Sequence, residues 1–394
     1  MLISETMHVR RVLFVALATA CLVESVFACS SMMLNGETNM YPDPRFDPGD
    51  SSTKGGSHDA FVVHGAAFPA IRLCFSGALD RVPLPDTELM PNANVVGVET
   101  GSYAKLPALE DVGTVYVLHE RAVRALPGGS TVACRELLGD GTTSLVANID
   151  YHVAGTLPAS LGLLKSQVLV ITGCGGKAFL DRIGAASASC GEGWDPTDGN
   201  LNAKLLDLPS LRASTTASAH TVQITHVSPA IDQALAGAGV RVTFGSIEPG
   251  SEGEDVLASD LRLFGASGPS TISIVPSDGR IYGTHGFHIT TPSLDGGAGL
   301  DVRRSLAELQ DVSAPREIPT SFYAESRNFA LLLIGDPSAE KDADGGVMTS
   351  NRRRPQLLAL PLSARGKSAE EGILPSDSGA SVGNDASVSD GSGR

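Results

Sequence analysis

The stretch "VVHGAAFPAI", Val62 to Ile71, returns as "ITHVSPAI", Ile224 to Ile231, with His226 standing 162 residues after His64 and Pro229 in the place of Pro69. Two more stretches recur in the same order. "TLPASLGLLKSQVLVITG", Thr156 to Gly173, matches "EIPTSFYAESRNFALLLIG", Glu317 to Gly335, pairing Pro158 with Pro319 and Gly173 with Gly335. "LLDLP", Leu205 to Pro209, matches "LLALP", Leu357 to Pro361. The interval from His64 to Gly173 equals that from His226 to Gly335, 109 residues each. Such a period is too long for a solenoid, whose units run from about 20 to 50 residues, so it marks two tandem domains.

Each copy reads as mainly β. "TVYVLHE" (Thr114 to Glu120), "SQVLVITG", "VRVTFGSI" (Val240 to Ile247), "STISIVPS" (Ser270 to Ser277), "FHITTP" and "FALLLIG" are short, rich in β-branched residues and bounded by turn formers. Val168 to Ile171 and Ala330 to Ile334 are unbroken apolar runs, as expected of strands covered on both faces. One short helix is predicted over Arg303 to Val312, where Leu306, Leu309 and Val312 fall at helical spacing. With 44 Gly and 23 Pro available for turns, the expected fold is all-β: two tandem Ig-like antiparallel β-sandwiches, over 59–212 and 218–363. The connection "RASTTASAH", Arg212 to His220, reads as short and polar. It leaves the arrangement of the two domains open.

On these residues the chain resembles a known family. "HVSPAID" is similar to the "VHASPDAPAVD" opening of a bacterial β-sandwich domain of unknown function, the family numbered 4397. The order "HGAAFPAIRLCF", "VLVITGC", "CGEGWDPTDGNL", "HVSPAID", "DVSAPREIPTSFY", "LLLIGDPS" resembles exported two-domain proteins of myxobacteria over roughly residues 60 to 363. The first copy departs from the pattern at Gly65 and Ala67. The resemblance implies architecture and location, and no active site.

The N-terminus reads as an address. Arg10 and Arg11 precede the apolar run Val12 to Val23, too short to span a bilayer and suited to a signal peptide over 1–28. "ESVFACSS" fits cleavage before Cys29 and also resembles a lipobox that would lipidate Cys29; the lipoprotein reading is preferred over simple secretion. Residues 29–58 read as a polar tether and 364–394 as a disordered tail. Export makes four remaining cysteines candidates for disulfides, with three pairings open. The short loop between Cys174 and Cys190 favours that pair and leaves Cys74 with Cys134. Zinc is disfavoured, because no CxxC occurs and no His lies near Cys174 or Cys190 in sequence.

A net charge of −15 disfavours nucleic acid, whose phosphates need Lys and Arg to displace counterions. The basic run Arg352 to Arg354 reads as a solvated turn before a strand. His64 and His226 would each need a nucleophile or an orienting acid to act as bases, whereas a framework role needs one backbone carbonyl. Recurrence at matching positions favours framework, so His64, Pro69, Gly173, His226, Pro229 and Gly335 are assigned to structure. His285 and His288 in "THGFH" sit three apart on an expected strand and so point to opposite faces, which spoils a chelate. "DPTDGN" (Asp195 to Asn200) and "DADGG" (Asp342 to Gly346) read as turns rather than calcium loops. Trp194 is expected to pack near the Cys174–Cys190 bridge.

No HExxH, P-loop or CxxC is present. No catalytic, cofactor or metal residue is therefore assigned. The expected function is a non-enzymatic binding, adhesion or scaffold module of the cell envelope. Its partner would be an envelope or extracellular protein or a glycan, and it would touch membrane only through its lipid. An extracytoplasmic hydrolase with a loop-assembled site and a glycan-binding module are the alternatives.

Overall fold

The computed structural model describes residues 58–66, 68–85, 97–139, 144–157, 159–183, 190, 193–211, 216, 218–248, 255–274, 281–291, 299–313, 323, 326–339 and 353–362. The signal segment, Cys29, the tail, "DADGG", Pro158, Pro319, Ala67 and most of the interdomain connection lie outside them.

The first domain contains β1 (Ala60–His64), β2 (Ile71–Phe75), β3 (Tyr103–Lys105), β4 (Gly113–His119), β5 (Tyr151–Leu157), β6 (Gln167–Thr172) and β7 (Asn202–Asp207). One sheet runs β3-β1-β6-β7 and faces a second, β2-β4-β5. Val62, Leu169 and Ile171 from the first meet Leu73, Val115 and Val117 from the second in a common core. The second domain contains β8 (Ala219–His226), β9 (Val240–Ser246), β10 (Asp255–Leu261), β11 (Ser270–Ser273), β12 (His285–Thr290), β13 (Asp301–Ser305), β14 (Asn328–Ile334) and β15 (Gln356–Pro361). Its sheets run β11-β8-β14-β15 and β10-β9-β12-β13 around their own core. Two β-sandwiches in tandem are thus observed.

The duplication extends to hydrogen-bond register. His64 stands opposite Ile171 in the parallel ladder of β1 and β6, and His226 opposite Leu333 in that of β8 and β14, an offset of 162 in both strands. One parallel pair per domain is a departure from purely antiparallel sandwiches. It arises because β1 and β6 are joined through the whole opposing sheet, a connection long enough for parallel pairing. The "LLDLP"/"LLALP" match also shifts. Leu169 pairs with Leu205 but its counterpart Leu331 pairs with Ala359, so the strands align two residues away from the sequence match. A slip of two keeps every side chain on its face, which is why the motif still looked aligned.

The unbroken apolar runs are explained by what covers them. On β6, Leu169 and Ile171 point into the sandwich while Val168 and Val170 point away, and the same alternation holds for β14. The outward residues form a third core with Phe61, Val63, Ala330, Leu332, Ile334, Leu358 and Leu360, drawn from both domains. The two copies therefore dock sheet against sheet, giving four β-layers.

Helices are more numerous than expected, though all are short: α1 (Glu120–Ala125), α2 (Cys134–Leu137), α3 (Lys177–Ile183), α4 (Pro229–Ala234), α5 (Ile281–Thr284) and α6 (Leu306–Ser313). The predicted helix over Arg303 to Val312 begins three residues later, because Arg303 to Ser305 finish β13. Ser305 and Glu308 form a reciprocal capping box: the Glu308 N–H donates to the Ser305 hydroxyl and the Ser305 N–H to the Glu308 carboxylate. The outer face of β2 and β4 is closed by α1 and α2 in a small apolar cluster that contains the Cys74–Cys134 disulfide. The second disulfide joins Cys174 to Cys190. These are the pairs expected from sequence, and two disulfides fit an oxidising, extracytoplasmic compartment. Among the described residues no helix is long and apolar enough to cross a membrane.

Gly173 and Gly335 close the parallel strands at φ +78° and +106°. A β-carbon would stand 2.2 Å from the carbonyl oxygen of Asn200 in the first copy and of Arg354 in the second. Both the backbone angle and the close approach exclude a side chain. Gly173→Ala or Gly335→Ala is expected to cost about 3 kcal/mol or more, read by urea denaturation. A loss below about 0.5 kcal/mol, the range of an ordinary surface change, would contradict the assignment.

Candidate functional site

At one end of the interdomain layer lies a cavity of about 320 Å³, within the range of small-molecule sites. It opens where both parallel pairs end, between the residues that follow β1 and β6 and those that follow β8 and β14. Gly65, Ala66, Thr172 and Gly173 come from the first domain, and Ser228, Ile334 and Gly335 from the second. The site is thus built from matching parts of two copies.

The two domains line it with different residues. The first supplies Thr100, Thr172, Asn200 and Asn202 beside Ala66; the second supplies Leu263, Phe264 and Ile334 beside the polar Ser228, Gln233, Asp336 and Arg353. Equivalent positions are fixed by hydrogen bonds. The Gly101 N–H donates to the His64 carbonyl at 2.8 Å and the Phe264 N–H to that of His226 at 2.7 Å. The His64 and His226 N–H groups in turn donate to Ser102 and Gly265 carbonyls. Gly101 therefore corresponds to Phe264, and Thr172 to Ile334.

That correspondence exposes a strained residue. Both positions adopt positive φ, +69° for Gly101 and +59° for Phe264. Glycine meets the requirement freely, whereas a bulky side chain there costs roughly 1–2 kcal/mol. Phe264 also lies against the interdomain core, with the Lys204 ammonium of the other domain 3.5 Å from its ring centre.

Part of the polar wall is committed to the fold. The Asn200 amide accepts from the Cys174 N–H at 2.8 Å and donates to the Cys190 carbonyl at 2.9 Å, which holds the disulfide loop at the cavity edge. The Thr100 hydroxyl donates to the Phe68 carbonyl. Thr172 and Asn202, paired across β6 and β7, also line the cavity. At the rim, Arg353 lies 3.8 Å from Asp336, so the two charges offset each other.

The basic run differs from the solvated turn expected of it. Arg354 is 4% exposed in its side chain and donates to Glu308 at 2.9 Å, while Arg353 lines the cavity. The reason is local: the capping box aims the Glu308 carboxylate at the turn before β15. Arg352 lies outside the described residues.

His64 and His226 are fully buried and neither lines the cavity. The His64 Nε2–H donates to the Pro69 carbonyl at 3.1 Å, giving Pro69 its role. His226 differs: its Nδ1 accepts the Ser228 N–H at 3.3 Å, and Pro229 begins α4. Burial lowers both imidazoles to about 4, so both are neutral at pH 7. Ser228 is the hydroxyl beside a histidine, yet its Oγ donates to the Gly335 carbonyl and accepts from the Ile231 N–H as a helix cap. No serine–histidine relay is assembled there, because the ring contacts the Ser228 backbone and not its hydroxyl.

Elsewhere, His285 and His288 lie on β12, where His288 Nε2 is 2.7 Å from Asp301 and His285 Nδ1 is 3.1 Å from the Thr284 hydroxyl. Asp195 caps its own turn by accepting from the Thr197 and Asp198 N–H groups, which lowers its pKa. Trp194 packs on the first core and donates its indole N–H to the Gly175 carbonyl at 2.8 Å. Among the described residues no group of three or more His, Cys, Asp or Glu is placed to hold a metal.

Sequence reasoning missed the cavity. Its lining comes from separate loops, and the framework positions Gly173, Pro229 and Gly335 that line it carried no sign of a ligand seat. No protein-family model matches the chain, and no curated protein does.

Proposed function

We propose that this chain is an extracytoplasmic, non-enzymatic binding module that holds its ligand between its two sandwiches. The cavity carries this reading. It is formed by both copies at equivalent strand ends, and the Thr100 and Ser228 hydroxyls at its wall are spent on hydrogen bonds of the framework. Export through the N-terminal segment and tethering at Cys29 belong to the same proposal, supported by the "VFACSS" motif and by two disulfides. The resemblance to tandem β-sandwich domains of exported proteins is in keeping with it.

The test uses protein purified from its own cells. Intact mass is expected to fit a chain beginning at acylated Cys29, with four further cysteines alkylated only after reduction. In parallel, ester, phosphate and glycoside substrates are expected to show no turnover. Turnover abolished by Asp336→Asn or Asn202→Ala at the cavity would overturn the non-enzymatic reading in favour of a hydrolase. An unacylated mass would overturn the tether.

A further inference from the structure

We infer that the interdomain cavity takes a neutral saccharide, with Phe264 as its apolar platform; this rests on the reading of the cavity as a ligand seat. Three observations carry it. First, the walls are unlike at equivalent positions, with Thr172 facing the side where the second copy has Ile334, and Gly101 replaced by Phe264. A sugar ring has the matching asymmetry: a face of C–H groups that packs on aromatic and aliphatic carbon, and an edge of hydroxyls that pairs with amides and hydroxyls. Second, the charged rim groups Arg353 and Asp336 offset each other, and the Lys204 ammonium is held against the Phe264 ring, so neither presents a free charge to an ionic ligand. Third, Phe264 stands at φ +59° where the first copy shows that glycine satisfies the fold. A strained residue kept at a cavity is a mark of function.

The volume suits a mono- or disaccharide. In the bound state the ring's C–H face lies on Phe264 and Leu263, while hydroxyls reach the Thr172 hydroxyl and the Asn202 amide. The single Trp and low aromatic content of the chain argue against a broad sugar-binding surface, and an enclosed seat needs only one platform.

The test is calorimetric titration of the full chain with maltose, cellobiose, lactose and N,N′-diacetylchitobiose, beside glycine, inorganic phosphate and benzyl alcohol. At least one saccharide is expected to bind, and Phe264→Gly to weaken it about tenfold or more, the scale of one lost aromatic contact. Because Phe264 also touches the interdomain core, Asn202→Ala supplies an independent arm. It is expected to weaken binding several-fold with the melting temperature unchanged, as for one hydrogen bond. Failure of all four saccharides overturns the inference. If phosphate, glycine or benzyl alcohol binds instead and is lost in Asn202→Ala, the cavity stands as a ligand seat and the saccharide does not. If no probe binds, the seat falls as well.

Discussion

Between pH 6.5 and 4 the protein is expected to lose about 3 kcal/mol of stability for each of three buried histidines, which is enough together to unfold an ordinary domain. The three are His64, His119 and His226, each held near a pKa of 4 mainly by burial. For His64 the Pro69 and Phe68 backbone opposes that effect and His119 adds to it. For His119 the Phe179 carbonyl and Asp150 oppose it and Arg182 adds to it. For His226 the opposition comes from Asp232 and the Leu333 backbone. Unfolded histidine takes its proton near pH 6.5, so below that pH the unfolded chain binds more protons than the folded one. The stabilisation is complete above pH 6.5 and drains away as pH falls toward 4. Glu308 acts later and in the same direction: burial pushes its pKa up, but the Ser305 N–H and Arg354 outweigh this and leave it lowered. Urea midpoints measured from pH 7.5 to 4 check the claim. A stability flat across that range would mean that the imidazoles are hydrated, and His64→Gln should flatten the slope by about one third.

The second large effect is expected at the layer between the domains. Leu332 is fully buried with Val168, Val170, Leu358 and Leu360 around it in the shared core. Leu332→Ala should cost about 2–5 kcal/mol, as truncations in close-packed cores do. Leu332→Asp should cost more, because the carboxylate would be buried without a partner. A loss under about 1 kcal/mol for Leu332→Ala would mean that the residue faces solvent and that the domains move independently. The layer also explains why β6 and β14 lack the alternation of half-exposed strands. Each needs one apolar face for its own sandwich and one for its neighbour.

Much of this architecture was legible in the sequence because duplication preserved spacing. The 109-residue interval from His to Gly is now seen as the path from the end of one parallel strand to the close of its partner. The apolar runs announced two covered faces, but nothing in Val168 to Ile171 says what the cover is. The sequence is equally silent on α1: "ERAVRA" is too short for a periodic signal, and its partner cluster is assembled by the distant Cys134 and Leu137. At Ser305 a signal was present, since S-x-x-E before an apolar run marks a helix start, and it places the boundary better than spacing did. The roles of the two histidines diverge for a similar reason. "HGAAFP" and "HVSP" differ by two residues, so Pro69 can reach back to His64 whereas Pro229 cannot repeat that contact and starts a helix instead. The cavity left the faintest trace. Phe264 is an unremarked residue until hydrogen bonding sets it beside Gly101.

Differential scanning calorimetry of the full chain tests the docking of the two copies most directly. One transition is expected, with calorimetric and van't Hoff enthalpies equal, because the shared core makes the sandwiches unfold together. The same scan on Leu332→Asp is expected to split into two. Two separate transitions in the unaltered protein would contradict the docked pair, and with it the cavity that the pair encloses.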